Sequence, residues 1–182
     1  VRSANLKLST EFSESVLLDE AEVILSDNTR LLVMIIIDDA SSFRVIIPTK
    51  AVRNISGRES LKCFSRGWLS WAGPPKMLGY DAAKGHTTQS IAEIGDKHHM
   101  LMRPVPAEAA HLKGRVENPL DFFKDHFQRL HKQVQLTKDD DPAVWTPIIA
   151  ATCKYHVRRK GFTPYQDVLG RSPDCLLYTS DA

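Results

Sequence analysis

Residues 15–23, Ser-Val-Leu-Leu-Asp-Glu-Ala-Glu-Val, read as a strand that carries an acid, Asp19, inside it. Polar turn residues at 26–29 lead into residues 31–37, an unbroken aliphatic run of buried-strand length. Asp38-Asp39-Ala40-Ser41-Ser42 then reads as a second turn, and residues 43–47 as a third strand ended by Pro48. Short turns between successive strands make these three antiparallel neighbours.

The period changes at residues 59–71, where Leu61, Phe64, Trp68 and Trp71 recur at spacings of three and four, as on one face of a helix that Gly73-Pro74-Pro75 stops. Residues 76–80 predict a strand ending at Asp81, residues 87–94 a short helix and residues 98–103 another strand. Strands alternating with helices favour parallel pairing through crossovers. After a loop with Pro104 and Pro106, residues 116–134 form a long helix with Leu120, Phe123, Phe127 and Leu130 on one face and Pro119 in its first turn. Asp139-Asp140-Asp141-Pro142 caps a last helix of about twenty residues, which ends at Arg158-Arg159-Lys160-Gly161. The expected fold class is α/β: a five-stranded mixed sheet, three antiparallel strands then parallel strands, flanked by helices.

Composition narrows the function classes only a little. The 182 residues and 42% hydrophobic content suit one ordinary domain with a real core. The net charge of +2 neither demands nor excludes a polyanionic partner. The distribution is more informative, because residues 51–137 carry 13 basic against 8 acidic side chains while residues 1–50 carry 5 against 8. Lys113, Arg115, Lys124, Arg129 and Lys132 recur along one stretch, and Lys154, Arg158, Arg159 and Lys160 form a second cluster, either of which suits phosphate contacts or a solvated helix face. The longest apolar run is too short to span a bilayer, so no membrane partner is expected. Cys63, Cys153 and Cys175 form neither a zinc pattern nor a disulfide frame and fit a reducing, intracellular setting. Cys63 and Cys153 are expected as buried small hydrophobes, and Trp68, Trp71, Phe122, Phe123 and Phe127 as core.

Three acids stand where a carboxylate is costly unless it is used or exposed: Asp19 within the first strand, Asp81 at the end of the fourth, and Glu117 at the start of the long helix. Between the last two lie 117 − 81 − 1 = 35 residues. Asp38 and Asp39 compete for the role of first acid, yet both fall in an expected hairpin turn, where Asp is ordinarily structural. The adjacent His98 and His99 would point to opposite faces of a strand and receive no metal role.

This spacing, together with its flanks, resembles the D, D-35-E core of retroviral and retrotransposon integrases. The resemblance rests on Val16-Leu-Leu-Asp-Glu-Ala-Glu22, Ile37-Asp-Asp-Ala-Ser-Ser-Phe43, Gly73-Pro-Pro-Lys-Met-Leu-Gly-Tyr-Asp81 and Ala109-Ala-His-Leu-Lys-Gly-Arg-Val-Glu117. A further stretch, residues 161–171, resembles the segment after the core in long-terminal-repeat elements, so the likeness covers roughly residues 14–173. It implies an RNase H-like fold with Asp19 and Asp81 on adjacent strands. It also implies two Mg²⁺ (or Mn²⁺) ions held by Asp19, Asp81 and Glu117 as the catalytic acids. Lys124, seven residues or very nearly two helical turns after Glu117, takes the position of a DNA-contacting lysine, and His111, Lys113 and Arg115 fall in the loop that engages DNA.

The implied reaction is DNA integration by a polynucleotidyl transferase and endonuclease: 3′-end processing of element DNA, then strand transfer into target DNA. The implied assembly is a homodimer or higher multimer, nuclear where the host is eukaryotic. The family's zinc-binding and C-terminal modules are expected to be missing from a chain divided into an N-terminal linker remnant (1–13), the catalytic core (14–137), a C-terminal helix with post-core segment (138–174), and residues 175–182, which resemble a translated sequencing-library adapter and are read as a scar. Departures from the pattern, Ala82-Ala-Lys-Gly-His86 after the second acid and Tyr155 in the last helix, leave open a second reading, a catalytically decayed copy kept as a DNA-binding or interaction module.

Overall fold

The structure, a computed structural model, describes residues 9–51, 53–81, 85–105, 119–155 and 161–170. Five strands form one sheet in the order β3-β2-β1-β4-β5. Strands β1 (Ser15–Ile24), β2 (Arg30–Asp38) and β3 (Arg44–Pro48) pair antiparallel in succession, as the short polar turns between them require. Strands β4 (Met77–Asp81) and β5 (Leu101–Val105) add on the other side of β1 in parallel. The mixed five-stranded sheet expected from the sequence is therefore present.

β2 is buried on both faces, which is why its sequence is continuously aliphatic rather than alternating. Its even positions Leu32, Met34 and Ile36 join Val16, Leu18, Leu78, Tyr80, Phe64 and Trp68 in one core; its odd positions Val33, Ile35 and Ile37 join Ala21, Val23, Ile46, Phe123, Phe127 and Trp145 in the other. The first core is covered by α1 (Gly57–Phe64), which Ser56 caps by accepting the Glu59 N–H at 3.3 Å. This helix runs on through a π-helical turn (Ser65–Leu69) and a final turn (Ser70–Ala72). The second core lies under α3 (Pro119–Val134) and α4 (Pro142–Tyr155). α2 (Gly85–His98) forms the crossover between β4 and β5, and α5 (Pro164–Leu169) carries a reciprocal capping box between Thr163 and Gln166.

Several boundaries differ from the sequence reading for identifiable reasons. The crossover helix is longer at both ends than residues 87–94, and it closes at His99, which adopts a left-handed φ of 55° while the Met100 N–H bonds the Gly95 carbonyl at 2.8 Å. The histidine pair therefore belongs to a helix end and not to a strand. Pro104 lies inside β5, tolerated because β5 is an edge strand. Trp68 is fully buried as expected, but Trp71 is 46% exposed and packs by ring contacts on Phe12, Phe43 and Trp68. Cys63 and Cys153 are free, buried thiols, and burial pushes the Cys63 thiol up to about 11. Among the described residues no helix is long and apolar enough to cross a membrane.

The helix lies close against the sheet at Gly67, within the π turn. A Cβ added at Gly67 would collide with the Cδ1 atoms of Ile47 and Ile36. Gly67→Ala is accordingly expected to destabilise the protein by about 1–3 kcal/mol through overpacking, read as a lower urea midpoint; an unchanged midpoint would show that the two isoleucine methyls turn aside without cost.

Candidate functional site

Asp19 stands on the β1 face that also carries Leu17, Ala21 and Val23, opposite Ile35 of β2. Asp19 is half-buried, and one carboxylate oxygen accepts the Glu20 N–H at 2.8 Å. The parallel ladder between β1 and β4 runs from Ser15 opposite Met77 to Leu18 opposite Tyr80, a constant offset of 80 − 18 = 62. The next position on each strand is Asp19 and Asp81, again 81 − 19 = 62 apart. Register thus places the backbones of the two acids side by side on neighbouring strands, as the resemblance required. Asp81 in turn lies opposite Val105 on β5.

Of the two competing acids, Asp38 is used by the turn. Asp38 is fully buried; one oxygen accepts the Ser13 N–H at 2.8 Å and the other accepts the Ser41 N–H at 2.8 Å and the Ser41 hydroxyl at 2.6 Å. This carboxylate ties the lead into β1 to the β2–β3 turn, a structural use. Asp39 beside it is half-buried, and burial holds its carboxyl above the usual range.

Glu117, His111, Lys113 and Arg115 lie outside the described residues. The helix that Glu117 precedes is described from Pro119, and Lys124 is exposed on it next to the buried Phe123. Arg129 forms an exposed ion pair with Asp125 at 2.9 Å. Of the second basic cluster, Lys154 is partly buried with its ammonium 4.5 Å from the centre of the Phe43 ring, and burial lowers its pKa from the usual value. Arg158, Arg159 and Lys160 lie outside the described residues. Among the described residues no group of three or more His, Cys, Asp or Glu side chains is assembled that could hold a metal.

This architecture is found in solved structures. The HTLV-2 integrase catalytic core domain in complex with magnesium, in its trimeric form, aligns over 88% of this chain and 98% of its own with a TM-score of 0.68 at 14% identity. Its dimeric form aligns over 88% and 97% with a TM-score of 0.66 at 13% identity. The chain has the integrase catalytic-core fold. The simian T-cell lymphotropic virus intasome in complex with PP2A regulatory subunit B56 gamma aligns over 93% of this chain and 58% of its own, with a TM-score of 0.71 at 14% identity. No protein-family model matches the chain, and no curated protein matches it in sequence.

Within this integrase-core fold, α3 is held against β1 partly by a junction that sequence reading did not find. The Ser26 N–H donates to the Leu136 carbonyl at 2.9 Å, and the Lys138 N–H donates to the Asp27 carboxylate at 3.0 Å. The Ser26 hydroxyl also lies 3.3 Å from His131 Nε2. The β1–β2 hairpin tip is thereby docked on the α3–α4 connection. The Lys138 N–H, ahead of the Thr29 N–H, holds the exposed Asp27 carboxyl below its ordinary range. A folded-state pKa below the unfolded value means that this support is fully present above about pH 4 and is lost as pH falls further. In paired acid titrations of unfolding, Asp27→Asn is expected to lower stability at pH 6, with the difference from wild type closing as pH falls below about 4; a difference independent of pH would show that the carboxylate charge plays no part in the junction.

Proposed function

We propose that this chain is the catalytic core of a retrotransposon integrase that processes the 3′ ends of element DNA and joins them to target DNA. The observation that carries the reading is the β1–β4 register, which makes Asp19 and Asp81 neighbours in a fold otherwise matched by integrase cores. The reaction is hydrolysis near the element's 3′ end and then attack of the exposed 3′-hydroxyl on a target phosphodiester, with no covalent enzyme intermediate.

Asp19, Asp81 and Glu117 are the residues that would hold two Mg²⁺ or Mn²⁺ ions. All three offer the oxygen donors that hard cations take, and two are neighbours in the sheet. Bound ions supply charge neutralisation at the attacking and leaving oxygens of the phosphodiester. The protein's own part is to keep the acids on rigid elements and the DNA in line with them. Lys124 on the exposed side of α3 is assigned to a phosphate, and His111, Lys113 and Arg115 to DNA near the acids.

The proposed assembly is a homodimer or higher multimer. In support, α4 is apolar on its outer side as well, with Val144, Ile148 and Tyr155 exposed at 65%, 52% and 45%; the HTLV-2 cores named above are dimeric and trimeric. Nuclear action in a eukaryotic host is inferred from the proposed substrate. The second reading, a decayed copy, is favoured by the departures after Asp81 and at Tyr155.

The test is Mn²⁺-dependent disintegration of a branched DNA. Asp19→Asn and Asp81→Asn are each expected to lose at least about a thousandfold in turnover while staying folded, because members of an interdependent catalytic set fail singly. Asp38→Asn is expected to keep turnover while melting at a lower temperature, by about 1–3 kcal/mol of lost stability. A folded wild-type protein no more active than Asp81→Asn would support the decayed copy instead.

A further inference from the structure

Register also places a cation on the face of the sheet that carries Asp19. Hydrogen-bonded neighbours run Ile37, Leu17, Gly79 and Arg103 across β2, β1, β4 and β5. Residues two apart on a strand share a face, so the next row on this face is Ile35, Asp19, Asp81 and Val105. The two rows are about 7 Å apart, two residues of strand. Arg103 therefore stands one row from the acids and one strand beyond Asp81. Its side chain is partly buried, and Nη1 donates to Sδ of Met77, another residue of this face, at 4.0 Å.

That contact leaves most of the guanidinium unused, because a thioether is a weak acceptor and the group has several further donors. Among the described residues Arg103 forms no ion pair. Nor is it spent on neutralising Asp39, whose carboxyl burial holds above its usual range even with the Arg103 charge in reach. An uncharged side chain would serve for packing on an edge strand; what the guanidinium adds is a planar fork of donors matched to a phosphate. A DNA strand advances about 3.4 Å per nucleotide along its axis, so the step from the acids to Arg103 corresponds to about two nucleotides. The geometry points to Arg103 as a DNA-binding residue that takes a backbone phosphate about two nucleotides from the one held at Asp19 and Asp81, on the β5 side of the acids. This inference rests on the reading of DNA as the substrate. Such a contact sets the strand in place and reads no base.

The experiment measures binding of a fluorescent branched DNA by anisotropy, in metal-free buffer across about 50–200 mM salt. Wild type, Arg103→Gln, Arg103→Lys and Lys62→Gln are compared, with the melting of each protein followed alongside. Arg103→Gln is expected to bind about tenfold more weakly, with a salt slope smaller by about 0.9, the loss of one phosphate contact. Arg103→Lys keeps the charge and the slope but loses the fork, and its affinity should fall between the two. Lys62→Gln, exposed on the helix over the opposite face of the sheet, should bind as wild type does. Neutral methylphosphonates placed singly around the branch locate the contact. Wild type should lose about tenfold at a position within about two nucleotides of the reacting phosphate, and Arg103→Gln should lose nothing further there.

Wild-type affinity and slope in folded Arg103→Gln overturn the role, as does a methylphosphonate penalty that Arg103→Gln leaves undiminished. Equal losses in Lys62→Gln and Arg103→Gln overturn it too, since net charge alone would then account for both. If Arg103→Gln does not fold, Arg103→Lys with wild-type affinity on every DNA overturns it equally. Absent or salt-independent binding by wild-type protein overturns the reading of DNA as substrate, and the Arg103 role with it.

Discussion

Parallel hydrogen bonding between β1 and β4, in the one register that sets Leu18 opposite Tyr80, is the interaction on which the rest depends. A slip of one residue would turn every side chain of β4 to the opposite face. Leu78 and Tyr80 would leave the core they share with Val16, Leu18 and Trp68, so burial opposes the slip strongly. The same apolar packing that selects the register also fixes which residues come next on the two strands, and those residues are Asp19 and Asp81. The adjacency of these two acids is in this sense a by-product of the core on the other face of the sheet.

The second core then holds α3 against the same sheet. Phe123 and Phe127 pack α3 against Ala21, Val23, Val33 and Ile35, and the hairpin tip around Ser26 and Asp27 holds the far end of that helix at the α3–α4 connection. At the near end the Arg44 guanidinium lies 4.9 Å from the centre of the Phe122 ring. Helix and sheet are thus in contact at both ends, on the face that carries Asp19.

Most of the framework was legible in the sequence because it arises from local patterning. The aliphatic run of β2, the turn residues around Asp38 and the spacing of Phe123 and Phe127 each determine an element within a few residues of themselves. The adjacency of Asp19 and Asp81 on neighbouring strands agrees with what the resemblance implied. What was not legible depends on contacts distant in sequence. The Asp27 bond to the Lys138 N–H joins residues 111 apart, and nothing local marks either partner. Arg44 reads as an ordinary polar position in a short strand until α3 covers it. Lys154 belongs to a run that looks like a solvated basic face, yet its ammonium is drawn onto the Phe43 ring. The exposure of Trp71 has the converse cause: its helix passes through a π turn, which shifts the residues beyond Gly67 around the axis relative to the sheet.

The most direct measurement of whether β1 and β4 form one metal-binding corner is amide NMR of the folded chain titrated with substoichiometric Mn²⁺, whose unpaired electrons broaden nearby signals. The predicted result is selective loss of the Leu18, Asp19, Glu20 and Tyr80 amides, abolished by Asp81→Asn. Broadening centred on Asp38 and Asp39, or on the exposed Asp139, Asp140 and Asp141, with the Asp19 region untouched, would contradict it.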